Sequence, residues 1–281
     1  NNAFGRGALG SNTTGNYNNA IGYNALYGNT TGIGNAAVGI SAMTSSLSGN
    51  DNVALGRYAL KSNWGGDSNF AVGYISMCSN TTGNYNTAIG NYAMCGNTTG
   101  YQNNAIGKSA LKNNTTGYDN QAIGANALAG NTTGGSNQAI GYGALICNTT
   151  GHYNNAIGRE ALHSNTCGCN NTAVGYTALY ENLSGCCNVA VGRNALQKST
   201  IACYNTAVGN DSLRYNTTGA QNVAVGYGAL QNNETGCYNT AVGDNAVGGC
   251  GGTVVRSTAI GYAALWNQEY GQNTAAGYLG Q

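Results

Sequence analysis

The chain has 281 residues, of which 46 are glycine, ten are cysteine and none is proline. Only 7% of the residues are charged, against roughly 25% in average soluble proteins, and the formal net charge is +1. This balance excludes a basic surface for nucleic acid. We expect neither a signal peptide nor a membrane span, because no apolar run is long enough.

From the first residues onward, an Ala-hydrophobic-Gly triplet recurs. Its glycine falls at Gly5, Gly22 and Gly39 and then at every seventeenth residue to Gly243. The next two glycines, Gly261 and Gly277, follow steps of 18 and 16 residues, so one residue is gained and then lost. A fixed short period is the signature of a repeat protein, and the chain holds about seventeen such repeats.

The first repeat, residues 1–17, idealises to N-T-A-I-G-Y-N-A-L-Y-G-N-T-T-G-N-Y, two short apolar pieces joined by polar turns. Two packed helices need repeats of roughly thirty residues or more, whereas this period suits one coil of a parallel β-solenoid. We predict an all-β fold, a parallel β-solenoid or β-roll of about seventeen 17-residue coils, with residues 1–281 as a single repeat array. Because solenoids normally carry atypical caps, we expect this array to be an interior segment of a longer fibrous chain.

Asparagine opens almost every repeat. Its amide both donates and accepts, so asparagines stacked on successive coils can hydrogen-bond along the axis as well as to the local turn. The alternative is simple turn preference, which would tolerate Asp, Ser or Gly here more often. We predict a structural asparagine ladder that includes Asn1, Asn18, Asn35, Asn52, Asn69, Asn86, Asn103 and Asn120.

Adjacent apolar residues, such as Ala20 with Ile21 and Ala25 with Leu26, pose the question of which side chains are buried. Neighbouring strand residues point to opposite faces, so both faces are expected to be covered. Either small Ala and Gly fill a thin interior while Ile, Val and Leu pack on a second chain, or the assignment is reversed. A one-sided monomer would show cleaner alternation, which favours a homo-oligomer or filament that self-associates through apolar strand faces.

The pattern A-[IV]-G-x-x-A-L, joined by N-T-T-G-x-x-N-T-A-[IV]-G strings, covers the whole chain. It resembles the head repeats of trimeric autotransporter adhesins and the repeat tracts of phage-type tail-fibre proteins. The resemblance implies a parallel β-roll, an extracellular location or exposure on a cell or virion surface, and a role in attachment. We therefore expect a structural extracellular fibre or adhesin stalk. An ice-binding or glycan-binding solenoid is the alternative.

Catalysis and metal binding have little support in the sequence. His152 and His163 fall in different turns, and the acidic residues are scattered over unrelated repeat positions, so no acid–base pair recurs. Calcium binding by a β-roll requires repeated Asp in the turns, which hold Asn and Thr instead. We expect no enzyme activity, no metal site and no cofactor. Ice binding would need Thr-x-Thr ranks on one strand face, whereas Thr13 and Thr14 are adjacent.

The ten cysteines lack C-x-x-C metal spacing and so favour an oxidising compartment. Residues 17 apart would lie about one strand spacing, ~4.8 Å, apart, within the roughly 4.4–6.8 Å that separates Cα atoms in disulfides. The disulfide candidates are Cys78 with Cys95 and, in competition with each other, Cys169 with Cys186 and Cys186 with Cys203. Stacked free thiols are the alternative.

The triplet N-x-[ST] recurs at one turn of the repeat, where we expect an enzyme to reach the asparagine and an attached glycan to project into water. Covalently attached glycans would keep a chain with so few charges soluble. The alternative is that Asn, Thr and Gly simply make good turns. The predicted N-glycosylation sites are Asn12, Asn29, Asn80, Asn97, Asn114, Asn131, Asn148, Asn182, Asn216 and Asn233.

Overall fold

The computed structural model describes residues 1–248, 253–266 and 272–278. The chain divides into two compact units, Asn1–Ala139 and Ile140–Gln281. No helix is present in the described ranges, and every coil contributes one strand of three residues. The first unit contains β1 (Asn2–Phe4), β2 (Asn19–Ile21), β3 (Ala36–Val38), β4 (Val53–Leu55), β5 (Phe70–Val72), β6 (Thr87–Ile89), β7 (Asn104–Ile106) and β8 (Gln121–Ile123).

The second unit repeats the same element. Strand β9 (Gln138–Ile140) lies where the two units divide. The strands after it are β10 (Asn155–Ile157), β11 (Thr172–Val174), β12 (Val189–Val191), β13 (Thr206–Val208), β14 (Val223–Val225), β15 (Thr240–Val242), β16 (Thr258–Ile260) and β17 (Thr274–Ala276). The expectation that residues 1–281 form one array stays a prediction.

Within each unit, parallel pairing joins a strand to the strand of the next coil. The paired residues are 17 apart in the first unit, as in Ala20 with Ala37. Near the end of the second unit, Ala241 pairs with Ala259 and Ala259 pairs with Ala275. The steps of 18 and 16 residues are thus absorbed outside the strands. The predicted all-β parallel β-solenoid of 17-residue coils is confirmed.

The interior is filled by small and medium-sized side chains. The middle residue of every strand is alanine, and it is buried from Ala20 to Ala275. Farther along the coil, Ala25 and Leu26 are both fully buried, and Leu or Met takes the second of these places in most later coils. The last residue of each strand, Ile or Val in most, is the exposed or half-exposed partner, as at Ile21. Leucine at the place of Leu26 therefore belongs to the interior, while the exposed Leu55, which ends its strand, takes the outward place of Ile and Val.

Left-handed backbone allows two adjacent residues to face inward. Leu26 has a φ of +49°, and the corresponding Leu and Met residues of other coils have similar values. A non-glycine residue in this region costs about 1–2 kcal/mol, while full burial of a leucine side chain contributes about 1.5–3 kcal/mol. Burial outweighs the strain, and the strand-like alternation of side chains ends at this point in the coil.

The glycine of the Ala-hydrophobic-Gly triplet turns the chain immediately after the strand. Gly107, for example, has a φ of +138°, and a Cβ atom on it would lie 2.6 Å from the carbonyl oxygen of Gly124 in the next coil. Both the backbone conformation and the close stacking of coils require a residue without a side chain. This explains why the triplet recurs in every repeat.

Candidate functional site

The predicted ladder residues lie in one buried column, which we call the first asparagine stack. Asn18 Nδ2 donates to the carbonyl oxygen of Gly32 at 2.7 Å, which closes its own coil. Asn18 Oδ1 accepts the backbone N–H of Asn35 at 2.9 Å and the Asn35 amide at 3.2 Å, which ties one coil to the next. Each asparagine of the stack, or rung, therefore provides hydrogen-bond partners for buried backbone groups and for a buried side chain at the same time.

The predicted glycosylation sites lie in another column, the second asparagine stack, which the sequence analysis missed. Asn114 Nδ2 donates to Asn97 Oδ1 at 2.8 Å and to the carbonyl oxygen of Gly117 at 3.0 Å. Its own Oδ1 accepts from Asn131 at 2.8 Å. Nine of the ten predicted acceptors are buried, and Asn12 is half-buried. The sequence signal was available, since asparagine recurs here every seventeenth residue as it does in the first stack.

This placement corrects the accessibility that we assumed for glycosylation. The atom to which an N-linked glycan attaches, Nδ2, already donates two hydrogen bonds inside the solenoid, as at Asn97 and Asn114. A sugar on that nitrogen would remove one donor and would have no space in the close-packed interior. Attachment and this coil geometry are therefore mutually exclusive at the buried rungs.

The second asparagine stack is interrupted twice by serine. Ser46 and Ser199 occupy rungs where other coils have asparagine, and both side chains are buried. The Oδ1 atoms of the preceding rungs, Asn29 and Asn182, have no hydrogen-bond partner, and neither do the two serine hydroxyls. Serine is too short to span one coil rise, so each interruption leaves buried polar atoms unsatisfied.

An uncharged surface runs along each unit, formed by the two outward-pointing side chains of every strand, of which the last is apolar in every strand and the first is polar in most. We call it the strand face. Its large members are exposed to a similar degree, with Ile21 49% and Ile106 36% accessible. The other outward residue of each strand is Asn, Ala, Val, Phe, Thr or Gln, and no charged residue occurs in any strand. In its lack of charged side chains this surface resembles the core of a protein–protein interface.

The predicted cysteine pairs are brought together but are not joined. Cys78 Sγ lies 3.5 Å from the carbonyl oxygen of Cys95. Cys186 Sγ accepts the N–H of Cys169 at 3.2 Å, and Cys203 Sγ accepts the N–H of Cys186 at 3.1 Å. All nine cysteines of the described ranges are free thiols, so no disulfide joins the predicted pairs in this structure. Stacking by translation keeps the Cβ atoms about one coil rise, ~4.8 Å, apart, beyond the roughly 3.5–4.5 Å of disulfides.

The two thiols of the Cys78–Cys95 pair differ in acidity. Hydrogen bonding to Cys95 is the largest effect on Cys78 and, with smaller contributions from Ser79 and Lys61, lowers the pKa of Cys78 to about 6 despite partial burial. The same contact raises the pKa of Cys95.

The histidines singled out in the sequence lie in separate coils, and the ring of His163 stacks on Tyr180 with centroids 4.7 Å apart. In the described ranges, no group of three or more His, Cys, Asp or Glu is placed to hold a metal ion. Those ranges also contain no helix with the length and apolar character needed to cross a bilayer.

Comparison with known protein families finds no match for the chain, and no curated protein matches it. Fold and side-chain chemistry are therefore the basis for the functional argument.

Proposed function

We propose that the chain is a structural segment of an extracellular fibre or adhesin stalk, and that it assembles laterally with further copies of itself through the strand face. The observation that carries this proposal is the exposed, uncharged rank of Ile and Val side chains along each unit. Soluble monomers rarely expose a contiguous apolar patch of this kind unless it has a binding role.

A second copy of the chain is favoured as the binding partner of the strand face, because its own strand face has the same composition and the same rise per coil. Two such faces match rung by rung, and the absence of charge removes any repulsion between identical surfaces. Eight strands about 4.8 Å apart and about 10 Å wide give roughly 380 Å² for each unit, or roughly 760 Å² for the chain. Stable complexes bury about 800 Å² on each partner, so the strand faces of both units are needed to approach that area, since one unit supplies about half of it.

The proposal includes no catalytic role. The titratable side chains that could serve in acid–base chemistry are dispersed, as His152 and His163 illustrate, and the repeated polar groups are engaged in holding coils together. An extracellular location remains part of the proposal and is supported by the resemblance of the repeat to surface fibres.

The test is the mass of the assembly in solution. The double variant I106K/V208K places a charge on the strand face of each unit, while the matched control T99K/T218K places the same charges on exposed turn residues. We expect the native chain and the control to form oligomers by sedimentation velocity and I106K/V208K to sediment as a monomer with an unchanged β-type circular dichroism spectrum. A native chain that stays monomeric at all concentrations, or a strand-face variant that assembles normally, would refute the proposal.

Ice binding is a second candidate because of threonines on the strand face of the second unit. Thr172, Thr206 and Thr240 each begin a strand and share the outward face with a valine two residues later. The turn threonines, by contrast, are engaged along the axis, as where Thr81 donates to the carbonyl oxygen of Thr98 at 3.0 Å. Thermal hysteresis with ice shaping by the native chain, abolished in I106K/V208K, would favour this function over lateral assembly.

A further inference from the structure

Coil stacking places Cys78 and Cys95 directly above one another at the same position of successive coils. Both thiols are half-buried. Cys78 Sγ lies 3.5 Å from the carbonyl oxygen of Cys95, and Cys95 Sγ lies 3.7 Å from the carbonyl oxygen of Lys112, so both sulfurs lean the same way along the axis. Equivalent atoms of successive coils are offset by about one coil rise, about 4.8 Å, and the two thiols are neighbours across that step.

This spacing suits a two-coordinate metal ion. A zinc–thiolate bond is about 2.3 Å long, so a linear sulfur–metal–sulfur unit with bonds of similar length would span about 4.6 Å. Zinc would require four ligands, and the described part of the chain offers no group of three. Thiolates select soft ions such as Cu(I), and a monovalent ion with a filled d shell accepts two thiolates in line.

The charges around the pair fit the complex that would form. Lys61 and Lys112 occupy the same position in the coils immediately before and after the cysteines, where Lys61 acts on Cys78 and Lys112 acts on Cys95. Two thiols that bind one monovalent ion release two protons and leave a bis-thiolate complex of net charge −1, with no change of oxidation state. The positive charges of the two lysines favour that negative charge, as they already favour the thiolate of the neighbouring cysteine.

We propose that Cys78 and Cys95 form a site for a soft monovalent d¹⁰ cation of the Cu(I) class, held in line between their two sulfurs. The Cys169, Cys186 and Cys203 stack has similar spacing but is flanked at its position by His152 and Ala220 rather than by lysines. The lysine-flanked pair is therefore the better built site.

The test is competition for Cu(I) between the fully reduced full-length chain and a chromophoric cuprous chelator under nitrogen. We expect C78S and C95S each to retain one ion per chain fewer than the native protein. The matched control is C147S, because Gly130 and Ser164 occupy the corresponding places in its neighbouring coils and no second thiol faces Cys147. Ions held by the other cysteine stack are common to all these proteins and cancel in the difference.

A second measurement separates a built site from two reactive thiols. The variant K61M/K112M keeps both sulfurs and should bind the pair's ion roughly two- to fivefold more weakly, as expected for loss of exposed ion pairing. Circular dichroism checks that every variant retains its β structure. Retention of the native stoichiometry by C78S, or an equal loss in C147S, would overturn the proposal.

Discussion

At the level of single residues, the two serines in the second asparagine stack are the clearest defects. Restoring asparagine at Ser46 supplies a donor to Asn29 Oδ1, which now has none, and another to the carbonyl oxygen of Gly49, the counterpart of Gly32 in its coil. We expect S46N to raise the free energy of unfolding by about 1–2 kcal/mol. Urea denaturation followed by circular dichroism measures this, and S199N provides an independent repeat in the second unit.

The control for this prediction is S45N, one residue earlier, where the side chain is half-buried and lies outside the stack. It adds the same amide without completing a rung, so its unfolding midpoint should stay at the native value. A midpoint for S46N at or below that of S45N would show that the stack does not stabilise the fold through these hydrogen bonds.

The acidity of Cys78 predicts a pH-dependent reactivity. The thiolate is the nucleophile, and because the pKa of Cys78 is lowered to about 6, its alkylation by iodoacetamide should rise through pH 6 and level off by about pH 8. Burial raises the pKa of Cys147, so that thiol should still be reacting slowly at pH 8. Peptide mass spectrometry of partly alkylated protein gives both rates.

The C95S variant tests the cause of this acidity. It removes the sulfur that contributes most to the lowered pKa of Cys78, so the rise in the alkylation rate of Cys78 should move to higher pH. Coincident profiles for Cys78 and Cys147 in the native chain would contradict the predicted difference.

At the level of the coil, the turn after each strand depends on glycine. Gly56 has a φ of +138°, and a Cβ atom there would lie 2.5 Å from the carbonyl oxygen of Gly73. We expect G56A to lower the free energy of unfolding by at least about 2 kcal/mol, since the strained backbone alone costs about 1–2 kcal/mol and the clash adds to it.

G65A is the matched control in the same coil, because its new methyl group would meet only Ser48 Oγ at an ordinary 3.5 Å. Its unfolding curve in urea should overlay that of the native chain. Equal losses in G56A and G65A would mean that the effect comes from the general flexibility of glycine rather than from this turn.

The coil also shows where sequence reasoning stops. The period and the Ala-hydrophobic-Gly triplet were enough to predict one parallel strand per coil, because a fixed length forces identical residues into register. Which apolar residues face inward could not be derived from alternation, since Leu26 adopts a left-handed conformation that sends Ala25 and Leu26 to the same side. That conformation is stabilised by burial in neighbouring coils, a tertiary effect that local propensity does not contain.

The second asparagine stack was missed for a different reason. The letters N-T-T-G describe a good surface turn and a glycosylation triplet equally well, and both interpretations place the asparagine outside. Only the coil path shows that Asn114 points inward while the backbone of the turn around it remains near the surface. The strand face, in contrast, lies on the side of the apolar segments where the sequence analysis expected a second chain to pack.

At the level of the whole molecule, few charges contribute to stability. Three ion pairs occur among the described residues, between Arg159 and Glu160, Lys198 and Glu181, and Arg214 and Asp211. The first two pairs are exposed and contribute about 0–1 kcal/mol each, and the third, on the buried Asp211, is a single pair within one coil. The two units are instead stabilised by repetition, since each added coil contributes one buried Leu or Met and, in most coils, two asparagine rungs. Ionic strength should therefore have little effect on unfolding.

The neutral surface and the buried acceptor amides together lead to a prediction about glycosylation. A sugar sheath was expected to keep the chain soluble, but the structure already exposes polar side chains in its turns, as at Thr99 and Thr218, while the acceptor amide of Asn114 donates both of its protons to groups inside the stack. We therefore expect the intact mass of native material to equal the mass of the polypeptide and to stay unchanged after enzymatic deglycosylation.

Half-buried Asn12, at the first rung, is the internal control, since a glycan confined to that residue is compatible with burial of the others. A shift that maps to Asn114 or another buried rung would mean that this coil is open in the native protein, because the hydrogen bonds of the second asparagine stack and an N-linked sugar compete for the same nitrogen.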